Sequence, residues 1–255
     1  MKHPLPWVGC HLTHSLSKRG GQDALSLALP APVDVRFGYD DGMERPGRTL
    51  IISDGGMTSL LACGLAAEEA DTSNTERPIV WIPEVGGDDP TTHKDAVLKQ
   101  AQILSLELLT ARVTEPVDRC ASGLLESEIL LHAGHLAGSE RCGRVVWPVQ
   151  LGAATTAEEP PLDRVAEAVD RALLVSRLIS IDGDFYGLTE VAVDTPFVDL
   201  ADEQVADLAA EMSLPIESCW WWTALGAMGS GADAERERWV GALRMIGWAG
   251  LPAGV

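Results

Sequence analysis

The spacing of apolar positions changes repeatedly along the chain, and a series of elements follows from those changes. "RTLIIS" is a short apolar run that ends in a glycine pair. "MTSLLACGLAAEEA" follows at once with helical spacing, placing Leu60, Leu61, Leu65 and Ala66 on one face. "DTSNTERP" reads as a loop and "IVWIPEV" as a second buried strand. "GGDDPTTH" is another loop, and it opens an amphipathic helix, "KDAVLKQAQILSLELL". "TARVTEP" fits a third strand.

The second half repeats this alternation. "ASGLLESEILLHAGHLAG" is helical, and "GRVVWPVQLG" is a strand that ends in a loop. "PPLDRVAEAVDRALLVSRLI" is a long helix in which Pro161 suits the first turn, with Val165, Val169, Ala172 and Leu173 as its apolar stripe. "TEVAVDTPFVDL" is a strand with an exit loop, "DEQVADLAAEM" a short helix, and the tail a glycine-rich loop before a tryptophan-bearing helix. Strands alternating with helices predict an α/β fold with a mostly parallel sheet covered on both faces. Residues 1 to 47 read as an irregular arm, in which "VDVRFGYDD" suits a strand ending in a turn. The expected α/β domain is residues 48 to 212, with a small helical and loop appendage over 213 to 255.

Composition narrows the functional classes. The chain has 255 residues, 46% hydrophobic and 22% charged, as expected of a globular protein able to bury a sizeable core. A net charge of −19, from 38 acidic and 19 basic residues, repels nucleic acid in the absence of any basic run. No apolar segment approaches membrane-spanning length and the first residues lack a signal-peptide core, so a cytoplasmic protein without a membrane partner is expected. Cys10, Cys63, Cys120, Cys142 and Cys219 are scattered and contain no CxxC pair, which argues against a disulfide framework.

The chemistry is concentrated at "SDGGMTS". A strand feeding a helix through this turn points backbone N–H groups at any anion beyond the strand's end. Gly55 and Gly56 let the backbone approach a ligand or take positive φ. Asp54, Gly55, Gly56, Thr58 and Ser59 are therefore the candidate nucleotide- or anion-binding residues. The turn is neither a Walker loop nor a dinucleotide fingerprint, because no Gly-Lys-Ser/Thr and no third glycine follow. A plain βα turn capped by Thr58 or Ser59 suits the same residues.

"DGGMTSLL" resembles the PP-loop signature Ser-Gly-Gly-x-Asp-Ser of ATP pyrophosphatases. "VAVDTPFVDLADEQVADLAAEMSLPIESCWWW" is similar to the stretch before the zinc cysteines in 7-cyano-7-deazaguanine synthase, the nitrile-forming ligase of queuosine biosynthesis. "VWIPEVGGDDPTTHKDAVLKQAQILSLELL" resembles that family's second strand, loop and helix. The resemblance implies a doubly wound sheet of the adenine nucleotide alpha-hydrolase type. It also implies ATP and magnesium at the loop, adenylylation of a substrate carboxylate, and a four-cysteine zinc site.

Several of the family's functional positions differ in this chain. Asp54 and Thr58 replace the signature serine and aspartate, so a carboxylate would face the polyphosphate. Of the zinc positions Cys219 alone is kept, beside Ser218 and Gly229, while Met228, Gly231 and Ala234 hold the others. One thiolate does not make a structural zinc site, so zinc is predicted absent. Gln150 and Leu151 follow Pro148 where the family carries Arg-Asn, and Asp202 stands where lysine is usual. Asp184 to Tyr186 are at most a remnant of the substrate segment.

Other residues have bland readings beside sharper ones. His132 and His135 are three apart on a helix and could share a metal, but they suit a capped or exposed face better. His93 matches a family position near the nucleotide and also suits a helix start. The tryptophans of "CWWWT", with Trp239 and Trp248, either fill the volume zinc would organise or form a partner interface. The expectation is a binding or scaffold protein for an unknown small molecule or protein, with a homodimer through the aromatic C-terminal region. No catalytic residue is assigned. The alternative is an enzyme that still uses ATP, in which Asp54 and Thr58 hold a metal–nucleotide complex.

Overall fold

The computed structural model describes residues 47–83, 90–109, 122–152, 161–186, 190–223 and 230–251. The expected N-terminal arm with its strand, apart from Gly47, and the strand expected at 110 to 116 lie outside the described residues.

Among the described residues are strands β1 (Arg48–Ile52), β2 (Ile79–Trp81), β3 (Glu107–Leu109), β4 (Cys142–Val146) and β5 (Ala192–Asp194). They form one sheet in the order β3-β2-β1-β4-β5, with every pairing parallel. The chain winds outward from β1 through β2 to β3, then returns to the other side of β1 with β4 and β5. This is the expected doubly wound α/β architecture, and its direction reverses between β1 and β4.

The helices are α1 (Met57–Ser73), α2 (Pro90–Ile103), α3 (Ser122–Ser139), α4 (Leu162–Tyr186), α5 (Asp202–Glu211), α6 (Trp220–Thr223) and α7 (Ser230–Met245). β1 reads as a continuous apolar run because both its faces are covered. Leu50 and Ile52 meet Leu130 and Ala133 of α3 and Val175 and Ile179 of α4. Ile51 points the other way, into a core with Leu60 and Cys63 of α1, Val97 of α2, Val205 of α5 and Leu243 of α7. Burying each such side chain stabilises by about 1.5–3 kcal/mol. Trp221 of α6 and Trp239 of α7 share that second core, so the C-terminal tryptophans fill volume beside α1. Among the described residues, no helix is long and apolar enough to cross a membrane.

Several boundaries differ from expectation. The second helix begins at Pro90, earlier than expected, since proline suits a first turn. It also stops early: Ser105 takes φ +55° and the Leu106 N–H bonds back to the Ala101 carbonyl, a left-handed helix end. Glu107–Leu109 then becomes the third strand of the described sheet, not the helix's last turn. Finally, α4 runs on through Asp184 to Tyr186, which form its end.

Two helix faces also differ. Leu65 of α1 is exposed, while Leu60, Leu61 and Ala66 are buried. On α4 the buried stripe is Ala168, Ala172, Val175 and Ile179, and Leu173 faces outward. The small alanines let α4 lie close to the sheet, and Ile179 packs where any side chain at Gly134 of α3 would collide with it.

Candidate functional site

The turn after β1 lies beside the sheet's reversal point, where ligands bind in open α/β sheets. Gly55 adopts φ +76°, and a Cβ there would sit 2.9 Å from Ala96 Cβ and 3.0 Å from the His93 carbonyl oxygen. Glycine is required at this position for both conformation and space. Gly56 is the N-cap of α1 and has an ordinary φ of −82°.

Asp54 determines what this turn can hold. Its Oδ1 accepts the Gly56 N–H at 2.8 Å and the Ser59 hydroxyl at 2.6 Å. Ser59 Oγ accepts the Asp54 N–H in return at 3.3 Å. Two donors at the start of α1, the Gly56 N–H and the Ser59 hydroxyl, are thus bonded to the chain's own carboxylate, which the helix field favours there. Asp54, Gly55, Gly56 and Ser59 come together as one closed turn, with half-buried Thr58 in the first turn of α1 beside them.

Three residues from elsewhere clamp the outside of this turn. His93 Nδ1–H donates to the Asp54 carbonyl oxygen at 2.8 Å, which sets its tautomer. Its ring stacks on Trp220 at 4.2 Å between centroids. The Gly55 carbonyl accepts from the Trp220 N–H at 3.1 Å and from Gln100 Nε2 at 3.0 Å. Gln100 is buried on the apolar face of α2 beside Ala96 and Val97. A polar residue on an apolar stripe was the sequence signal for it; Trp220's backbone role had none.

Beneath the turn, burial pushes the Cys63 thiol up to about 12, with the Asp54 charge adding to the effect. Burial, then Asp54 and Glu217, raise the Cys219 thiol well above its ordinary value. Both remain neutral thiols inside the core. Zinc does not fit this donor set. Gly231 and Ala234 are exposed on α7, and Met228 lies outside the described residues. No group of three or more His, Cys, Asp or Glu among the described residues could hold a metal.

A second constellation joins two positions that depart from the resembled family. Gln150, in the loop after β4, donates through Nε2 to the Leu200 carbonyl at 3.0 Å and to Asp202 Oδ1 at 2.8 Å. Arg238 of α7 completes it, donating to Gln150 Oε1 at 2.7 Å and to both Asp202 oxygens. Burial pulls the Arg238 pKa down, but its bonds to Asp202 and the nearby Glu235 outweigh that and leave it raised. Arg238 gave no sequence signal, because "ERERW" reads as a solvated charged face.

A cavity of about 260 Å³ lies at the exit of β4, against α4, lined by Trp147, Val149 and Leu151 among others. Its charged residues balance, Glu126 and Glu167 against Arg164 and Arg171. Arg171 already bonds Ser127 and Glu167. The volume falls below the ~300–1,000 Å³ typical of ligand pockets, and there is no excess positive charge for a polyphosphate. The histidine pair separates as well: His135 Nε2 meets Asp182 at 3.0 Å, while His132 lies against Trp81 with ring centroids 5.4 Å apart. Burial, then the neighbouring His135, lowers the His132 pKa.

No family model matches the sequence, and no curated protein matches it. Among solved structures the chain is similar to U34-tRNA thiolase NcsA from Methanococcus maripaludis, determined with its 4Fe-4S cluster. The identity is 16% over 78% of this chain and 71% of that one, with a TM-score of 0.43. It is also similar to NMN synthetase from Francisella tularensis, at 13% identity over 83% of this chain and 91% of that one, with a TM-score of 0.32. These likenesses carry no function across. The chain is a doubly wound α/β protein whose first βα turn is closed by its own aspartate.

Proposed function

We propose that this chain is a PP-loop-type protein, related to 7-cyano-7-deazaguanine synthase, that no longer uses ATP or zinc and acts as a binding or scaffold protein. The observation that carries this reading is the Asp54 carboxylate bonded to the Gly56 N–H and the Ser59 hydroxyl. A phosphate entering there must displace that carboxylate or lie beside it. At ~4 Å, two unit charges repel by about 4 kcal/mol at an effective dielectric near 20, enough to cancel several good hydrogen bonds. The Gln150–Asp202–Arg238 network supports the same reading, since its cation is bonded to an internal carboxylate.

Calorimetric titration of ATP, with and without magnesium, tests it on wild type and Asp54→Ser. Wild type is expected to bind weakly or not at all. Asp54→Ser is expected to bind more tightly, most clearly at low ionic strength, without gaining turnover. Tight magnesium-dependent binding by wild type, weakened by Asp54→Ser, would overturn the proposal in favour of the enzyme reading with Asp54 as a metal ligand.

A further inference from the structure

The helices α3 and α4 both begin over the end of the sheet where β4 exits. In a parallel sheet each connecting helix runs back against the strands, so it starts on one edge and finishes on the other. Each helix brings a charged side chain from its early turns to the cavity of about 260 Å³ there, Glu126 from α3 and Arg164 from α4. The chain leaving β4 supplies an apolar wall. Side chains alternate along an extended segment, so Trp147, Val149 and Leu151 line the cavity while Gln150 turns away to Asp202.

The four charged groups of the lining are not equally committed. Arg171 bonds Glu167 at 2.8 Å and the Ser127 hydroxyl at 2.7 Å. Glu126 comes within 3.8 Å of the same guanidinium, which is beyond hydrogen-bond distance. Arg164 makes no ion pair with a carboxylate among the described residues. The cavity therefore offers a loosely held carboxylate, a cation with nothing to neutralise it, and an apolar wall.

A ligand that answers all three carries both charges and a small apolar part. A lone anion would meet Glu126 and Glu167, and a lone cation would meet Arg164, each with like-charge repulsion. An α-amino acid carries a carboxylate and an ammonium on one carbon, with a side chain beside them. The cavity is too small for the drug-sized ligands of typical pockets and suits a molecule of that size. Arg164 is the third residue of α4, so the helix's N-terminal field adds to its attraction for a carboxylate.

We infer that this cavity binds a small aliphatic α-amino acid. Arg164 holds its carboxylate, Glu126 its ammonium, and Trp147, Val149 and Leu151 its side chain. The inference rests on the binding-protein reading above and names a ligand for it, at a site that none of the Asp54 turn's residues lines.

Isothermal titration calorimetry of the full chain with L-valine tests this. Valine is expected to bind with a Kd of about 0.1–1 mM, as suits so small a molecule. Two analogues probe each charge on the unaltered protein: 3-methylbutanoate lacks the ammonium, and 2-methylpropan-1-amine lacks the carboxylate. Each should bind about tenfold more weakly or worse, because it leaves one of the cavity's charges opposing it. Arg164→Gln and Glu126→Gln should each weaken valine by a similar factor. Both positions are exposed, and circular dichroism checks that the variants are folded. No binding of valine up to about 10 mM, an analogue that binds as well as valine, or variants that bind it unchanged would each overturn the inference. ATP titrated into the same protein reads the proposed function separately: ATP excluded while valine also fails to bind overturns this inference alone.

Discussion

The Arg238 guanidinium holds the Asp202 carboxylate through two parallel bonds, Nε to Oδ2 at 2.8 Å and Nη2 to Oδ1 at 2.6 Å. The pair ties α7 to the first turn of α5, and Gln150 ties both to the loop after β4. Asp202 has 4% of its side chain exposed and Arg238 36%. The carboxylate has left water, while the guanidinium is partly solvated.

That asymmetry predicts a one-sided cost. Arg238→Met should destabilise the fold by about 2–3 kcal/mol, because Asp202 stays buried without its cation. The partial solvation of Arg238 keeps the loss below that of a wholly buried pair. Asp202→Leu with Arg238→Met should cost less than the sum of the single changes, since no charge is left uncompensated. Urea denaturation of the four proteins measures the coupling, and strict additivity would show that the pair contributes nothing as a pair.

The Asp54 turn predicts a loss of stability when its carboxylate is removed. Asp54→Ala removes the acceptor for the Gly56 N–H and the Ser59 hydroxyl and should cost about 1 kcal/mol of stability. Asp54→Asn keeps an acceptor and should lose only the charge–helix attraction, about 0.5 kcal/mol. Equal losses in the two variants would mean that the hydrogen bonds add nothing beyond charge.

The two glycines of the turn should respond differently. Gly55→Ala meets both the positive φ and close contacts with Ala96 and His93, so it should cost about 2 kcal/mol or more. Gly56→Ala has an ordinary backbone, and the nearest neighbour of its Cβ would be the Asp54 side chain at 3.0 Å, so about 1 kcal/mol or less is expected. Thermal unfolding of the two variants compares them directly; a reversed order would contradict the turn geometry.

The buried thiols predict weakness in alkali. Cys63 rises from an ordinary 9.0 to about 12 through burial first and Asp54 second. Cys142 rises to about 11, again chiefly through burial. A thiol with a raised folded pKa contributes stability that is whole below the unfolded pKa. That contribution is lost as pH climbs through the folded value, because the unfolded chain ionises first. Stability should therefore fall from about pH 9 upward, with Cys63 adding about 1.4 kcal/mol per pH unit to the slope. Cys63→Ala should flatten the decline over that window. An unchanged slope would mean that this thiol does not titrate differently on folding.

The first strand, the glycine turn and the start of α1 were legible in the sequence because their causes are local. A run of Leu50, Ile51 and Ile52 cannot be exposed, glycine alone tolerates the φ of Gly55, and "MTSLLACGLAA" favours a helix. The parallel alternation followed from the order of such elements. Local period could not choose between faces of equal apolarity, so α4 was read with Leu173 inward. The sheet instead took the stripe whose alanines allow a closer approach and left the leucines outside. Nor could "LSLELL" be divided, because its last residues become a strand only when β2 offers its edge. The sequence presents Asp54 to a phosphate, and its side chain instead turns back onto the Gly56 N–H and the Ser59 hydroxyl. Arg238 reaches Asp202 across 36 positions of chain. Hydrogen bonds of that kind depend on which surfaces meet once the sheet has formed, and only the tertiary structure decides that.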